Sequence, residues 1–265
     1  MMQLDPRASA AGVRLVSHEL LTSTNTEALA LARQGERGPL WVTAERQSAG
    51  RGRRGRSWTS ERGNLAASLL LTDPGPPEHW PELSFVAALA VHDAVAEVAP
   101  ELRSRLAIKW PNDLLLDGAK FAGILIEAEG TEDGAVAIGI GVNCTSHPPN
   151  TTYPATDLAA VGATVSSEAL FSALTAKMVG RVAQWNRGEH FSTIRADWLA
   201  RAVGLGEVVR VRLADREIVG CFEAIDDTGR LMLLLPEGGR EALAAGDVVE
   251  LEGLGRPMAP QDGET

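Results

Sequence analysis

Apolar residues recur at two spacings along this chain, and each spacing predicts a type of secondary structure. Apolar side chains three to four positions apart predict amphipathic helices over residues 82–98, 166–187 and 190–201. An alanine- and leucine-rich run predicts a further helix at 26–32. Short apolar runs predict strands at residues 13–17, 38–45, 64–71, 106–110 and 135–142.

Three shorter segments complete this part of the chain. The Asp-Gly pair at 117–118 predicts a hairpin between strands at 114–116 and 120–127, because Asp-Gly suits a tight primed turn. A short helix is predicted at 157–161. Residues 1–12 show neither spacing and predict an unstructured lead-in, which leaves no room for a helix-turn-helix module before the first strand.

After residue 203 the pattern changes to short alternating runs separated by turns. These runs predict strands at 208–212, 217–223, 231–235, 240–243 and 248–251. Strands this short and closely spaced predict a small barrel of about 50 residues. We therefore divide the chain into a main domain at 1–203 and a C-terminal domain at 204–265, and we expect residues 254–265 to be a frayed tail.

Composition and charge argue against several classes of protein. The 265 residues are 45% hydrophobic and 23% charged, as in an ordinary soluble protein. The formal net charge is −10, yet residues 46–62 carry +5, which leaves −15 on the rest. An acidic body with one basic segment argues against a groove that follows a nucleic-acid backbone, and it fits the local capture of a small anion.

The sequence gives no sign of a membrane or secretory protein. No stretch approaches the roughly 18 apolar residues of a membrane span, and the N-terminus lacks the pattern of a secretory signal. Cys144 and Cys221 lie far apart and outside any Cys/His cluster, so they predict neither a disulfide framework nor a zinc site. We expect a cytoplasmic protein with reduced thiols.

The most unusual stretch runs from residue 45 to 58, where five arginines alternate with Gly50, Gly52 and Gly55. Glycine costs backbone entropy inside a helix or strand, so this stretch predicts a loop between two strands. Backbone N–H groups and guanidinium forks together suit a bound phosphate or carboxylate. For this stretch alone, a solvated basic loop and a nucleic-acid patch remain alternatives.

Three other segments have both a structural and a functional interpretation. The Ser-Thr-Asn run at 23–25 fits a helix N-cap and equally a set of hydrogen-bonding groups for a polar ligand. Gly139 and Gly141 either mark bulges or bare one face of a strand for a flat ligand. Lys120 taken by itself is a solvated turn lysine.

In their order, five segments resemble the biotin protein ligases. They are Ser23-Thr24-Asn25, the run from Gly50 to Arg56 with Trp58, Lys109-Trp110-Pro111-Asn112-Asp113, Lys120 with Gly123-Ile124-Leu125-Ile126-Glu127, and Gly139-Ile140-Gly141-Val142-Asn143. The resemblance implies an α+β fold in which helices flank a mixed β-sheet, as in biotin/lipoate ligase-like and class II synthetase-like domains, followed by a small SH3-like β-barrel. Members that repress transcription carry a winged helix-turn-helix before this domain. Because that module is missing here, we expect no DNA binding.

The resemblance implies a two-step reaction that uses ATP and Mg²⁺. Biotin would first be activated as biotinyl-5′-AMP with release of pyrophosphate, and then be transferred to a lysine of a biotin carboxyl carrier protein. A homodimer is an open expectation, and no membrane partner is expected. Two alternatives remain at this point: a lipoate or octanoate ligase or transferase of the same architecture, and a non-catalytic module that senses biotin or binds nucleic acid.

The resemblance also implies roles for individual residues. Catalytic roles fall to Arg53, Lys120 and Asp113; biotin contacts to Ser23, Thr24, Asn25, Gln47, Arg51, Gly52, Arg53 and Lys120; and ATP or adenylate contacts to Arg51, Arg53, Trp58, Asn112, Lys120, Gly139, Gly141 and Asn143. For Asp113, three roles stay open: orienting the incoming amine, deprotonating it, or holding Mg²⁺. Trp110 is expected in the core, and Trp58 on a lid over the ligand.

Overall fold

The computed structural model describes residues 1–131, 134–244 and 247–251. Within them, a seven-stranded sheet forms the main body. Its strands are β1 (Arg14–Leu21), β2 (Leu40–Gln47), β3 (Leu65–Thr72), β4 (Leu106–Lys109), β5 (Asp113–Leu116), β6 (Ala119–Glu129) and β7 (Ala135–Val142). They lie in the order β1-β2-β3-β7-β6-β5-β4, with β1 and β2 parallel and the other neighbours antiparallel. The prediction of a mixed sheet in an α+β protein is confirmed.

Helices cover both faces of this sheet. They are α1 (Pro6–Ala10), α2 (Thr24–Arg33), α3 (Leu83–Val98), α4 (Ser167–Trp185) and α5 (Phe191–Leu199). Helix α3 is apolar on nearly every side because it lies between the sheet and the helices α4 and α5. On the opposite face α2 packs Ala28 and Leu29 against Leu40, Val42 and Leu70. Among the described helices, none combines the length and the apolar character needed to cross a membrane.

The prediction that residues 1–12 are unstructured is wrong, because they contain α1. Asp5 is the N-cap, and its carboxylate accepts the Arg7 backbone N–H at 2.8 Å. The Asp5 backbone N–H donates to the Thr175 hydroxyl of α4 at 3.0 Å. A helix of five residues is too short to persist alone, so this contact with α4 stabilises it.

The helix predicted at 157–161 is also wrong, since these residues lead into a turn. Asp157 Oδ1 accepts the Ala160 backbone N–H at 2.7 Å, and the chain then reverses at Gly162, whose φ is +89°. A side-chain hydrogen bond of this kind competes with helix formation. The local sequence is therefore compatible with a short helix or a turn, and the hydrogen bond from Asp157 favours the turn.

The hairpin between β5 and β6 is confirmed. Asp117 and Gly118 have φ of +50° and +79°, and Leu116 pairs with Ala119 across them. Both central residues thus adopt the left-handed conformation of a primed turn, in which Gly118 has no Cβ to clash. This turn fixes the register that places two charged side chains, Asp113 and Lys120, close together.

The C-terminal residues form a second, antiparallel sheet of SH3-like type. Its strands are β8 (Val208–Arg212), β9 (Glu217–Ile225), β10 (Leu231–Leu234), β11 (Arg240–Leu243) and β12 (Asp247–Leu251). Their order is β11-β10-β9-β8-β12, and each predicted strand is confirmed. The domain boundary at 203/204 stays a prediction, and the predicted tail at 254–265 lies outside the described residues.

The second sheet contacts the first through residues of the segment 109–113. The Trp110 indole N–H donates to the Gly229 carbonyl at 3.3 Å, and Lys109 Nζ donates to the Val248 carbonyl at 3.2 Å. Trp110 is 1% exposed, so its expected place in the core is confirmed. These contacts bring β12 and the turn between β9 and β10 to the end of β4.

An ion-pair cluster joins the helices α3, α4 and α5. Arg181 bonds Asp93 at 2.5 Å and also bonds Asp197, while Arg201 lies 3.6 Å from Asp93. Burial alone would raise the pKa of Asp93, but hydrogen bonds from His92 and Arg181 outweigh it and lower the pKa to about 2.

We expect this pKa to give Asp93 a pH-dependent share of the folding free energy. A carboxyl with a depressed pKa stabilises the fold above its unfolded pKa and loses that contribution as the pH falls through its folded pKa. In urea unfolding, the stability gap between the wild type and Asp93→Asn should narrow by about 1 kcal/mol from pH 5 to pH 3. A gap that stays constant over this range would contradict the assignment.

Candidate active site

A cavity of about 700 Å³ lies where the first sheet, the second sheet and the arginine loop meet. The arginine loop is defined here as residues 48–64, between β2 and β3. Every predicted site residue except Asn143 lines this cavity: Ser23, Thr24, Asn25, Gln47, Arg51, Gly52, Arg53, Trp58, Asn112, Asp113, Lys120, Gly139 and Gly141. A pocket of this size accommodates a small organic ligand.

The arginine loop folds back on itself as an irregular hairpin. The Trp58 backbone N–H donates to the Gly50 carbonyl at 2.9 Å, and the Gly52 backbone N–H donates to the Arg56 carbonyl at 2.7 Å. Gly50 is required by this close approach, because a Cβ there would lie 2.4 Å from the Trp58 carbonyl oxygen. The loop also contacts the second sheet, where Arg54 donates to the Arg212 carbonyl at 3.5 Å.

The start of α2 forms the polar end of the cavity. Ser23 occupies the N-cap position, but its hydroxyl makes no capping hydrogen bond. The backbone N–H and hydroxyl of Thr24 both donate to Gln47 Oε1, at 2.8 and 3.2 Å. Gln47 Nε2 in turn donates to the Ser60 hydroxyl at 2.7 Å. Backbone and side-chain contacts therefore hold these polar groups in place before any ligand arrives.

Asn25 braces this end of the cavity through its carboxamide. Its Oδ1 accepts the Ser68 hydroxyl at 2.6 Å, and its Nδ2 donates to Glu127 at 2.9 Å and to the Leu125 carbonyl at 3.2 Å. The side chain lies directly over Gly139, where a Cβ would come within 2.5 Å of Asn25 Oδ1. The carboxamide is already engaged by protein groups, so Asn25 supports the wall that it lines.

The glycines of β7 line the cavity and leave room for two protein side chains. They do not mark bulges, because β7 pairs with β3 and β6 without a register shift. The bare face of Gly141 receives the indole of Trp58, from which a Cβ would lie only 2.4 Å. The bare face is therefore confirmed, and Trp58 and Asn25 pack against it, while contact of these glycines with a flat ligand stays a prediction.

This packing gives a prediction for Gly141→Ala. The added methyl group should displace Trp58 and destabilise the fold by about 1–3 kcal/mol, the usual cost of overpacking. Gly180 of α4 is the matched control, because a Cβ there meets nothing within 4 Å. Gly180→Ala should stabilise the helix by roughly 0.5–1 kcal/mol. Urea unfolding measures the change in the free energy of unfolding for each variant, which should be negative for Gly141→Ala and positive for Gly180→Ala. Equal changes in the two variants would contradict the packing argument.

Two lysines and an aspartate form the charged centre of the cavity. Asp113 Oδ1 lies 2.5 Å from Lys120 Nζ, and its Oδ2 lies 3.2 Å from Lys109 Nζ. The Asp113 side chain is only 15% exposed. Burial opposes its ionisation, but Lys120 and Lys109 outweigh burial and hold the pKa of Asp113 below its usual value. Asp113 is therefore a carboxylate at neutral pH.

Two aromatic rings flank the ammonium group of Lys120. Its Nζ lies 5.6 Å from the ring centroid of Trp58 and 5.4 Å from that of Tyr153. Both distances fall within the range of cation–π attraction. Burial, and secondarily Asp113, raise the pKa of Tyr153 although Arg56 and Lys109 oppose this. The tyrosine stays neutral at physiological pH.

Arg53 completes the centre on the side of the arginine loop. Its Nη1 donates to Asn112 Oδ1 at 3.2 Å, and Asn112 Nδ2 donates to the Ile124 carbonyl at 2.6 Å. Arg53 and Lys120 reach the same cavity from two different elements, one from the loop and one from the sheet. A ligand between them would meet a guanidinium and an ammonium group together.

Several lining residues had no role in the sequence prediction. They are Lys109, Arg56, Tyr153, Arg210, Arg212 and Glu217. Lys109 belongs to a quoted motif, but the three residues from the second sheet carried no local signal. With them, the described lining contains seven Lys or Arg side chains and two carboxylates, in a chain whose net charge is −10. The cavity therefore concentrates positive charge and suits a polyanion.

Asn143 does not reach the cavity wall. It is 3% exposed, and its Nδ2 donates to the Thr156 carbonyl at 3.1 Å, while its backbone N–H donates to the Phe121 carbonyl at 2.8 Å. Asn143 thus fastens the segment that ends at Thr156 to the sheet, behind the groups that line the cavity.

Comparisons with known proteins agree with this arrangement. Residues 17–143 match the Biotin/lipoate A/B protein ligase family, and residues 204–249 match the Biotin protein ligase C terminal domain. The chain is 45% identical to the biotin--[acetyl-CoA-carboxylase] ligase of Paracoccus denitrificans over 85% of this chain and 96% of that protein. It is 37% identical to the enzyme of the same name from Mycobacterium tuberculosis, over 86% of each chain.

Solved structures give the same result. The biotin protein ligase of Aquifex aeolicus in complex with biotin and ATP superposes with a TM-score of 0.75 at 25% identity, over 89% of this chain and 97% of that one. The Leishmania major biotin protein ligase in complex with biotinyl-5-AMP has a TM-score of 0.63 at 25% identity, over 88% and 99%. From its sequence identity, its fold and the composition of its cavity, the chain belongs to the biotin protein ligase family.

Proposed function

We propose that this protein is an ATP-dependent ligase that activates biotin as biotinyl-5′-AMP and transfers it to a lysine of a biotin carboxyl carrier protein. The observation that carries the proposal is the convergence of Arg53 and Lys120 on one cavity, with Asp113 2.5 Å from the lysine. The 45% identity to a biotin ligase over most of the chain supports the same activity rather than lipoate transfer.

In the first step a biotin carboxylate oxygen attacks the α-phosphorus of ATP. A C–O–P mixed anhydride forms, the bond between the α-phosphorus and its bridging oxygen breaks, and pyrophosphate leaves with that electron pair. Two anions must approach to about 3 Å. Arg53 and Lys120 offset their repulsion, and they act most strongly as charge develops in the transition state. Arg51, Gly52 and Asn112 extend this anion-binding surface.

The polar end of the cavity takes the ureido ring of biotin. That ring offers a carbonyl acceptor and N–H donors, and a buried polar group left without a partner costs about 1–3 kcal/mol. Ser23, Thr24 and Gln47 supply hydroxyl and amide groups there, while Asn25 braces them. Ser23 is 5% exposed, and its hydroxyl makes no capping hydrogen bond. We therefore assign this hydroxyl to the ureido ring.

Trp58, Gly139 and Gly141 shape the part of the cavity that binds the nucleotide. Trp58 covers Lys120 and rests on Gly141, while Gly139 makes room for Asn25. Asn143 acts from behind by holding the segment that ends at Thr156. Direct contacts of Gly139 and Gly141 with the nucleotide remain predictions, whereas Asn143 lies outside the cavity lining.

In the second step the acceptor amine attacks the activated carbonyl, and AMP leaves as the amide bond forms. A general base for an amine needs a pKa near the working pH. Asp113 has a depressed pKa, so it is a poor proton acceptor. Its role is to hold Lys120 and Lys109 and to orient the incoming ammonium group until that group loses its proton to solvent.

Asp113 does not fit a protein-held Mg²⁺ ion. Both of its carboxylate oxygens already face ammonium groups, at 2.5 and 3.2 Å, and these would repel a divalent cation. Across the described part of the chain, no three His, Cys, Asp or Glu side chains cluster in a way that could hold a metal ion. Mg²⁺ would then enter with the phosphates of ATP and would neutralise part of their charge, and the scheme above routes no step through it.

The partner of this ligase is the carrier protein, in the cytoplasm, with no role for DNA. Outside residues 46–62 the chain carries −15, so its surface does not repel an acceptor lysine. This distribution of charge therefore favours a lysine-bearing protein over a nucleic acid as the partner. Homodimer formation stays a prediction, and sedimentation analysis measures it directly.

Biotin-dependent ATP–pyrophosphate exchange tests the proposal. We expect exchange with biotin and little with lipoate, followed by transfer of labelled biotin to a carrier lysine. Exchange with lipoate but not biotin would favour the transferase alternative. Salt-dependent binding to duplex DNA without any exchange would favour a non-catalytic module and would overturn the proposal.

A further inference from the structure

Asn64 joins two loops at the base of the cavity without lining it. It is the last residue of the arginine loop, immediately before β3, and is 6% exposed. Its Oδ1 accepts the backbone N–H groups of Cys144, Thr145 and Ser146 at 2.9, 3.0 and 3.3 Å. Its Nδ2 donates to the Ser146 carbonyl at 2.9 Å. The Asn64 carboxamide thus fixes the turn at residues 144–146 through these four hydrogen bonds.

That turn begins the tyrosine loop, defined here as residues 144–156. The loop returns to the sheet beside Lys120: the Lys120 backbone N–H donates to the Pro154 carbonyl at 2.8 Å, and the Thr156 N–H donates to the Lys120 carbonyl at 3.0 Å. Near this end, Thr152, Tyr153 and Pro154 line the cavity. The tyrosine loop is therefore fixed by Asn64 where it starts and by Lys120 where it ends.

The junction between the two loops is tightly packed. Gly63 has a φ of +91°, and a Cβ on it would lie 2.5 Å from Thr145 Oγ1. A left-handed glycine is needed for the arginine loop to leave at this point. The Cys144 N–H is buried and would cost about 1–3 kcal/mol without an acceptor, and the Thr145 and Ser146 N–H groups share the same acceptor, so the turn depends on the carboxamide.

We propose that Asn64 is a positioning residue for the adenylation step, acting through the tyrosine loop on Lys120; this rests on the proposed function. Each loop carries one of the two rings that flank Lys120 Nζ: Trp58 at 5.6 Å and Tyr153 at 5.4 Å. The Asn64 clamp sets the separation of the loops, and hence the separation of the rings. The ammonium group between them is the one that meets the biotin carboxylate and the α-phosphate.

Asn64→Leu removes every side-chain hydrogen bond of the clamp and keeps the number and branching of the heavy atoms. We expect kcat/KM for ATP in the exchange reaction to fall about tenfold. The Kd for biotin in the absence of ATP should change much less than tenfold, because Thr24 and Gln47 at the ureido end of the cavity are held by hydrogen bonds that do not involve Asn64. A merely structural role would lower only the fraction of active protein, which the stoichiometry of biotin binding measures, and kcat/KM per active site would then equal that of the wild type.

Two further variants keep the test decisive if Asn64→Leu folds poorly. Asn64→Asp retains the acceptor for the three N–H groups and loses the donor to the Ser146 carbonyl, so it should lose only two- to threefold. Thr175→Val is the matched control. It deletes the acceptor of the hydrogen bond that the Asp5 N–H donates at 3.0 Å, and this part-buried bond lies away from the cavity. It should lower stability without changing exchange.

A double-mutant cycle tests whether Asn64 acts on Lys120 through Tyr153. In a Tyr153→Leu background, Asn64→Leu should cause no further loss, because the ring it positions is already gone. If wild-type exchange is normal, two results would overturn the inference. One is that the losses from the two single substitutions multiply in the double variant, and the other is that the biotin Kd changes by the same factor as kcat/KM. Absence of exchange in the wild type would instead refute the proposed function itself.

Discussion

Arg53→Ala is expected to lower biotin-dependent ATP–pyrophosphate exchange by about 100- to 1,000-fold, the range seen when one preorganised transition-state donor is removed. The fold should survive, because Arg53 lies in a loop and its described hydrogen bond, to Asn112 at 3.2 Å, is on the cavity side. Circular dichroism and urea unfolding check the fold, and exchange kinetics check the chemistry. Wild-type release of pyrophosphate would contradict the role.

Arg53→Lys sharpens this expectation. It keeps the charge but replaces a planar fork, which can contact a carboxylate and a phosphate at once, with a single compact ammonium group. We expect only partial recovery of exchange. The matched control is Arg46→Ala, since Arg46 belongs to the same arginine-rich stretch but its side chain is 52% exposed and lies 3.8 Å from Glu61. That variant should keep exchange within twofold of the wild type.

The sequence predicts well those features that depend on near neighbours. The hairpin at Asp117-Gly118 is one, because two residues with positive φ and Asp-Gly chemistry determine it locally. The strands of both sheets are another, since their periodicity is visible in a few residues. At 109–113 the resemblance assigned Asp113 to the site but gave Lys109 no role, although the two side chains pair at a spacing of four residues.

Features that depend on distant contacts could not be predicted in the same way. The clamp by Asn64 joins residues 80 to 82 positions apart, and neither segment signals the other. Lys109 reaches the Val248 carbonyl across 139 positions. Helix α1 depends on Thr175, 170 positions away. In each case the deciding partner is supplied by the tertiary fold, so the local pattern was silent or, for α1, misleading.

The expected roles of Gly139, Gly141 and Asn143 show how a correct motif can give an incomplete geometry. The glycine spacing does predict a bare strand face, but the sequence does not say what fills it. In the structure Asn25 packs on Gly139 and Trp58 packs on Gly141, although both glycines also line the cavity. Asn143 likewise acts through the Thr156 carbonyl. Motif position and direct ligand contact are therefore separate properties.

Asp113→Asn is expected to slow both half-reactions by about 100-fold or more. The carboxylate separates two ammonium groups that are 16% and 17% exposed, and its loss leaves Lys109 and Lys120 to repel each other. Exchange measures the first step, and single-turnover transfer from preformed biotinyl-AMP to the carrier measures the second. Asp117→Asn is the control, an aspartate of the same hairpin that is 52% exposed and pairs with Arg105; it should stay within twofold.

The pH dependence of transfer separates orientation from proton abstraction by Asp113. Because the neighbouring lysines hold the pKa of Asp113 below its usual value, the carboxylate does not titrate between pH 6 and 9. The transfer rate should therefore rise steadily over that range as the acceptor lysine, with an ordinary pKa of about 10.4, loses its proton. Asp113→Asn should lower the rate at every pH without changing this slope. A break near neutral pH in the wild type that vanishes in Asp113→Asn would show that the carboxylate takes the proton, and the orienting role would have to be abandoned.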